Sequence, residues 1–388
     1  MYKARLVFFA ACLGLLLFGI GLITLGSVAT GLREKFMLDE ITAGTLFSIM
    51  PFGILTGSLV FGPLCDKYGY KAFLIISSLC MFAGFQGIAY AGDLSLLKIF
   101  IFLFGLAGGA INGATNAVVA DISMENKGAN LSLLGVSFAV GALGMPFILG
   151  ILEGRYSFSA ILSSVGFLTL LAAAFFALIN FPPAKQKQDI PVLQGMKLLG
   201  DNFILLVGFF LFCQSAYEAV INNWTTSYLI DQLSVSRSNA LYALSLYVVG
   251  MAVTRLLAGS VFRKAKPHSI MYVSLGLLFL GATLLRLNHS FELAVCGLII
   301  TGAGLASGFP VMLGFVGERY AALSATAFSV VLVIALIGNI LVTYLMGLIA
   351  QGYGISNLTL VTYLLNAVMF ILTLLIIRKI NINPLNNK

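Results

Sequence analysis

The side chains able to do chemistry in this 388-residue chain are few, and they sit in apolar surroundings. Glu218 lies within FFLFCQSAYEAVINNWTTSYL, and Arg255 lies within LYVVGMAVTRLLAG. The Glu218 run also carries Gln214 and the pair Asn222 and Asn223 beside Trp224, and other apolar runs carry Asn112 and Asn116, four apart on one helical face, Asn339 and Gln86. A carboxylate can take up and release a proton, and an arginine can hold an anion or an opposite charge. Amides donate and accept hydrogen bonds, and an indole offers a flat stacking face. Ionisable groups in apolar segments usually face a cavity, so this set suits the reversible binding of a small polar solute. Covalent chemistry has no foothold: there is no HExxH, nucleophile elbow, P-loop or acidic metal cluster. His268 and His289 fall in loops. Cys12, Cys65, Cys80, Cys213 and Cys296 form no CxxC, so neither a disulfide frame nor a zinc site is expected. The reading is of a protein that is not an enzyme and needs no cofactor.

The elements that must position these groups follow from composition. Hydrophobic residues make up 60% and charged residues 9%, against about 25% charged in soluble domains, which excludes a soluble fold. A membrane-spanning helix needs about 20 apolar residues, and twelve such runs are present. Six come first: Leu6–Thr30, Ile41–Leu64, Ala72–Ala91, Leu96–Ala120, Ala129–Leu152 and Phe158–Phe181. The polar stretch NFPPAKQKQDIPVLQGMKLLGD, Asn180 to Asp201, interrupts them with Pro182, Pro183 and Pro191, which break helices. Six more follow: Phe203–Ile230, Asn239–Phe262, Ser269–Leu285, Leu293–Val316, Ala322–Ala350 and Ser356–Ile377. The expected fold is an all-α membrane protein of two six-helix halves, residues 1–181 and 202–388, joined by a linker at 182–201.

The net charge of +8 does not form a nucleic-acid-binding face. With the N-terminus in the cytoplasm, 15 of the 22 basic residues fall in inner segments and six in outer loops, with Arg255 inside a span. The positive-inside rule therefore places both termini in the cytoplasm, with the chain multi-pass in the cell (inner) membrane. The halves also repeat. An offset of 197 lands glycine on glycine at Gly53/Gly250, Gly62/Gly259, Gly84/Gly281, Gly105/Gly302, Gly141/Gly338 and Gly150/Gly347, where chance would give about two. It also pairs Asp121 with Glu318. Parallel repeats of this kind build a substrate cavity between the halves, near the bilayer midplane.

Between the second and third runs the chain reads Gly62-Pro63-Leu64-Cys65-Asp66-Lys67-Tyr68-Gly69-Tyr70-Lys71. This resembles the loop signature of the major facilitator superfamily, with Gly62, Asp66, Lys67, Gly69 and Lys71 matching and Tyr70 in place of a usual basic residue. Gly62 suits close helix approach, Gly69 a tight turn, and Asp66 an ion pair or helix cap that forms in one conformational state. In the second copy Arg263 stands where Asp66 stands, so such a latch is expected in the first half alone. GGAINGATNAVVADI, GVSFAVGALGMPFILG, YEAVINNWTTSYL and Gly250-x4-Arg255-x3-Gly259 together resemble the fucose permease-like branch, whose members carry sugars with protons or sodium. Unlike fucose permease, this chain has no acidic residue in its first span. Gly141–Gly150, with Pro146, also resembles the fifth-span motif of drug–proton antiporters.

The resemblance implies a monomeric secondary carrier working by alternating access. The expected activity is proton-coupled (or sodium-coupled) import of a small neutral solute, a sugar above all. Glu218 is the expected proton site and Arg255 a gating or ion-pairing group. Asp66, Lys71, Gly62 and Gly69 form the gating loop. Asn112, Asn116, Asn222, Asn223, Trp224, Gln214 and Asn339 are the expected substrate contacts. Proton-driven export of a drug or metabolite is the alternative. Counting along the runs places Arg255 roughly 8 Å deeper from the outside than Glu218.

Overall fold

The computed structural model describes residues 2–123, 127–152, 154–183, 198, 200–259, 266–287, 290–320 and 324–382. Most of the expected linker, with Lys185, Lys187, Asp189, Pro191 and Lys197, lies outside these residues, as do Arg263, Lys264 and His289. The surroundings of Gly62, Asp66, Lys67 and Lys127 lie outside them too, although their backbone is helical. The described residues hold no strand. Twelve of their segments are long and apolar enough to cross a membrane. The chain divides into two compact units, residues 1–190 and 191–388.

The N-terminal unit contains α1 (Ala4–Ser27), α2 (Ala29–Phe36), α3 (Glu40–Tyr90), α4 (Leu94–Ile122), α5 (Lys127–Leu152) and α6 (Phe158–Leu178). Helix α2 is a short outlying turn beyond the first span. It is pinned by an Arg33–Glu40 ion pair and by Lys35, whose ammonium donates to the Ala89 carbonyl at 3.1 Å. Helix α3 holds the second and third spans without the loop expected between them; a single non-helical residue, Gly69 at φ 80°, ψ 162°, turns the chain. That region is essentially glycine-only, so the expected tight turn is carried by one residue.

The C-terminal unit contains α7 (Asn202–Leu233), α8 (Arg237–Gly259), α9 (Pro267–Leu287), α10 (Phe291–Leu305), α11 (Gly308–Arg319), α12 (Ser324–Tyr353) and, after a short 3₁₀ turn, α13 (Leu358–Ile382). The tenth span is therefore two helices, broken at Ala306 and Ser307, where the sequence suggested one.

Helix starts follow local chemistry. Asp39 caps α3, Asp93 caps α4, Ser157 caps α6 and Ser290 caps α10, each accepting from a backbone N–H three residues on. Asp201 caps α7 through the N–H of Phe203 at 2.6 Å and of Ile204 at 3.4 Å. The end of α11 lies against the same cap, with the Arg319 guanidinium 4.6 Å from the centre of the Phe203 ring. Burial alone would raise the Asp201 carboxyl. The Tyr320 hydroxyl, the two N–H groups and the Arg319 charge outweigh it and hold it below the usual range.

The glycine repeat is a repeat of helix crossings. A methyl on Gly53 would strike the Phe102 carbonyl, and one on Gly250 the Ile299 carbonyl; a methyl on Gly105 would meet Met50, and one on Gly302 would meet Tyr247. Each pair is related by 197. The α3·α4 and α8·α10 crossings are thus the same contact built twice, backbone against backbone, as small residues permit.

Two outcomes are expected. Gly105→Val and Gly302→Val should each destabilise the solubilised protein by about 1–3 kcal/mol, read as a lower thermal midpoint. Because the native Asp201 carboxyl is depressed, its stabilisation is complete above its unfolded pKa of about 4 and is lost as pH falls through the lower native value. In Asp201→Asn the cap persists without the titration, so the acid limb of a stability–pH curve should flatten.

Candidate functional site

The break in the tenth span organises the polar groups of the C-terminal unit. Pro310 has no N–H to give to the Ala306 carbonyl, and the helix resumes with Val311 donating to Ser307. Leu305, Ala306 and Ser307 are buried, so the freed carbonyls need donors from elsewhere. Gln214 on α7 supplies one, its Nε2 lying 3.0 Å from the Leu305 carbonyl. Arg255 on α8 supplies the other, Nε to the Ala306 carbonyl at 3.4 Å. A methyl on Gly308 would run into the Gln214 amide, so glycine is what lets that side chain enter the break.

Glu218 lies one helical turn along α7 from Gln214. It is partly exposed and makes no hydrogen bond or ion pair among the described residues. The charge acting on it is that of Arg255, and both charges bear on the fully buried Tyr247 phenol. Fifteen residues separate Glu218 from Leu233 at the end of α7, and eighteen separate Arg255 from Arg237 at the start of α8. At 1.5 Å per residue the two groups differ in depth by about 4–5 Å, less than the 8 Å expected from the sequence. They are nonetheless not in ion-pair contact. Arg255 is also partly exposed, and its terminal nitrogens have no partner among the described residues.

The other expected site residues sort by exposure. Trp224 is fully buried, and Asn222 and Asn223 are more than nine-tenths buried, so these side chains are closed to a solute in this structure. Asn339 is partly exposed with no hydrogen bond among the described residues. In the N-terminal unit Asn116 donates to the Asn112 carbonyl at 2.9 Å and to its side-chain oxygen at 3.0 Å, making one partly exposed pair. Gln86 is committed to packing, exchanging hydrogen bonds with Ser163. Beside Gly69, the buried Tyr70 hydroxyl donates to Asp121 at 2.6 Å, tying the turn within α3 to the end of α4. Lys71 is partly exposed. The described residues hold no cluster of metal-ligating side chains. The break itself escaped the sequence reading, though Ser307-Gly308-Phe309-Pro310 inside an apolar run was a usable signal.

Comparison with known proteins gives the family. The model of the Major Facilitator Superfamily matches residues 11–287, well over half of the chain. The chain belongs to this superfamily. It is a multi-pass membrane protein and a secondary transporter, a class whose members are not enzymes in general. It is 23% identical over 350 residues to the MFS-type transporter YfkL of Bacillus subtilis, covering 87% of each chain. It is 25% identical over 351 residues to the multidrug resistance protein MdtG of Proteus mirabilis, covering 88% of this chain and 86% of that one. A crystal structure of a D-xylose–proton symporter matches with TM-score 0.82 at 14% identity, covering 96% of this chain and 97% of that one, and shows a shared fold.

Within this superfamily member, Gln214 should act on the span break before it acts on solute. Gln214→Leu leaves a buried carbonyl without a donor and should cost about 1–3 kcal/mol. Hydrogen exchange of the α11 amides should accelerate, while those of α4 stay unchanged.

Proposed function

We propose that this protein is a proton-coupled transporter of a small polar organic solute, with Glu218 carrying the proton. The observation behind the reading is a mid-span carboxylate, partly exposed, with no hydrogen bond or ion pair among the described residues. An ionised carboxylate without a contact partner at that depth costs about 2.5–3.5 kcal/mol, offset in part by the Arg255 charge that acts on it, so its ionised and protonated forms lie close enough to exchange. A carboxylate that alternates between a solvated and a desolvated setting can therefore load and discharge a proton as the carrier cycles.

The amides of Asn112, Asn116 and Asn339, which donate and accept, suit hydroxyl groups on the solute. Monosaccharides, as in the fucose permease-like branch, are the first solutes to test, and sodium is the other ion to test. Trp224, Asn222, Asn223 and Gln214, closed off in this structure, support the walls of the site. Tyr70, Asp121, Asp66 and Lys71 serve the turn that gates one end. The excess of basic residues in alternate loops sets the N- and C-termini in the cytoplasm.

Export is the second reading. It is favoured by the extensive match to MdtG, whose name is that of a multidrug resistance protein, and by the Gly141–Gly150 motif with Pro146.

Proteoliposomes under an inward proton gradient separate these readings. Import predicts gradient-driven uptake of labelled monosaccharide or a related polar solute, with Glu218→Gln losing accumulation at least about tenfold. Full proton-driven accumulation in Glu218→Gln would remove Glu218 from the coupling role. Expulsion of a lipophilic dye without uptake of polar solutes would establish the export reading.

A further inference from the structure

We infer that Arg255 is a binding site for the carboxylate of a small organic anion, which travels together with the proton on Glu218. The inference rests on the reading of Glu218 as proton carrier and specifies the charge of its solute.

The first ground is that the structural bond of Arg255 does not need an arginine. In the N-terminal unit the position 197 residues earlier is Ser58, and its Oγ lies 3.5 Å from the Gly109 carbonyl. Gly109 is itself the counterpart of Ala306, whose carbonyl receives the Arg255 Nε at 3.4 Å. A serine hydroxyl makes the equivalent contact in one half, so the full charge in the other half is surplus to it. The surplus is specific in form: one nitrogen of the guanidinium is occupied and the terminal pair is left open on a partly exposed side chain. That pair is the two-pronged donor that matches a carboxylate.

The second ground is charge balance. Among the described residues, Arg255 is the charge acting on Glu218, and no ionisable group of α9, α10, α11, α12 or α13 adds to it. Empty, with Glu218 ionised, the pair sums to zero. Loaded with a proton on Glu218 and a monocarboxylate on Arg255, it again sums to zero. A proton alone leaves a net positive charge, and an anion alone leaves a net negative one; both are disfavoured inside a span. Proton and anion therefore bind together and leave together. The proton passes between water and a Glu218 oxygen, and no other bond changes. A neutral sugar supplies no counter-charge when Glu218 is protonated. An organic acid supplies it.

The third ground is that the pair is set apart. Glu218 and Arg255 differ by about one helical turn in depth yet make no ion pair, so neither charge is consumed by the other.

The test uses the full chain in proteoliposomes with labelled lactate, gluconate and benzoate, and xylose as the neutral control. The membrane potential is clamped with potassium and valinomycin. The expected result is proton-driven uptake of at least one acid at a rate indifferent to the clamped potential, because one proton and one monoanion carry no net charge. Arg255→Gln should weaken that uptake by about ten- to hundredfold in KM, the worth of a charge-assisted hydrogen bond. Arg255→Lys should recover part of it. If the glutamine variant does not fold, the lysine variant decides: a raised KM for the acid supports the anion site, and an unchanged one overturns it. Glu218→Gln should still exchange labelled acid across the membrane but fail to accumulate it. Uptake of xylose with none of the three acids, or wild-type acid uptake in Arg255→Gln, overturns the inference while leaving Glu218 as proton carrier. Proton-driven accumulation that survives in Glu218→Gln removes that carrier, and the paired transport with it.

Discussion

A backbone carbonyl that loses its helical partner inside a membrane must find another donor, because lipid offers none. The arrangement of the C-terminal unit depends on that requirement. Pro310 withdraws the donor from Ala306, and the turn at Ser307 withdraws the one from Leu305. Gln214 and Arg255 reach in from two neighbouring helices to replace them. Gly308 supplies the space and Gly302 sets the spacing of α10 against α8. An arginine bound through Nε to a rigid carbonyl has its remaining nitrogens aimed, with less side-chain freedom left to lose when an anion binds. The same requirement that holds the broken span together thus orients the Arg255 guanidinium.

The two halves share crossings but not chemistry. At the positions 197 residues before Glu218, Gln214, Arg255 and Pro310 the first half has Gly21, Leu17, Ser58 and Gly113. Its fourth span is accordingly unbroken, and α4 runs from Leu94 to Ile122 as one helix. In the other direction Asn112 and Asn116 correspond to Phe309 and Leu313. Glycine stands at Gly53, Gly105, Gly250 and Gly302 in both copies of the crossing, where a methyl would strike backbone that cannot move aside. Away from those crossings the polar positions differ: an amide pair, Asn112 and Asn116, in one half and a carboxylate and a guanidinium in the other.

This division explains what was legible in the sequence. Span count and the repeat were readable because they rest on run length and on glycines whose role is local and steric. Gly69 was readable as a turn for the same reason. Trp224 and the Asn222–Asn223 pair were harder, since an amphipathic residue in a span looks alike whether it lines a cavity or seals a core, and here all three are enclosed. The tightness of the junction between spans two and three was hidden by residues that read as loop, Asp66, Lys67 and Lys71, which are helical in backbone and leave the turn to Gly69 alone. The role of Gln214 could not be seen without the break it serves, because its partner is a carbonyl 91 residues away in the chain.

The crossing of α8 and α10 also explains why the charges sit where they do. Gly250 and Gly302 press backbone against backbone, and from that contact Arg255 and Ala306 stand five and four residues along their respective helices. That is little more than one turn, so the helices have barely diverged when the guanidinium meets the carbonyl. A bulkier residue at the crossing would separate the axes and lift Nε from a bond that is already 3.4 Å long. Arg255 would then lose its anchor and turn towards the nearest counter-charge, Glu218. Gly250 and Gly302, uncharged themselves, therefore decide whether the two charges remain apart or collapse onto each other as an ordinary ion pair.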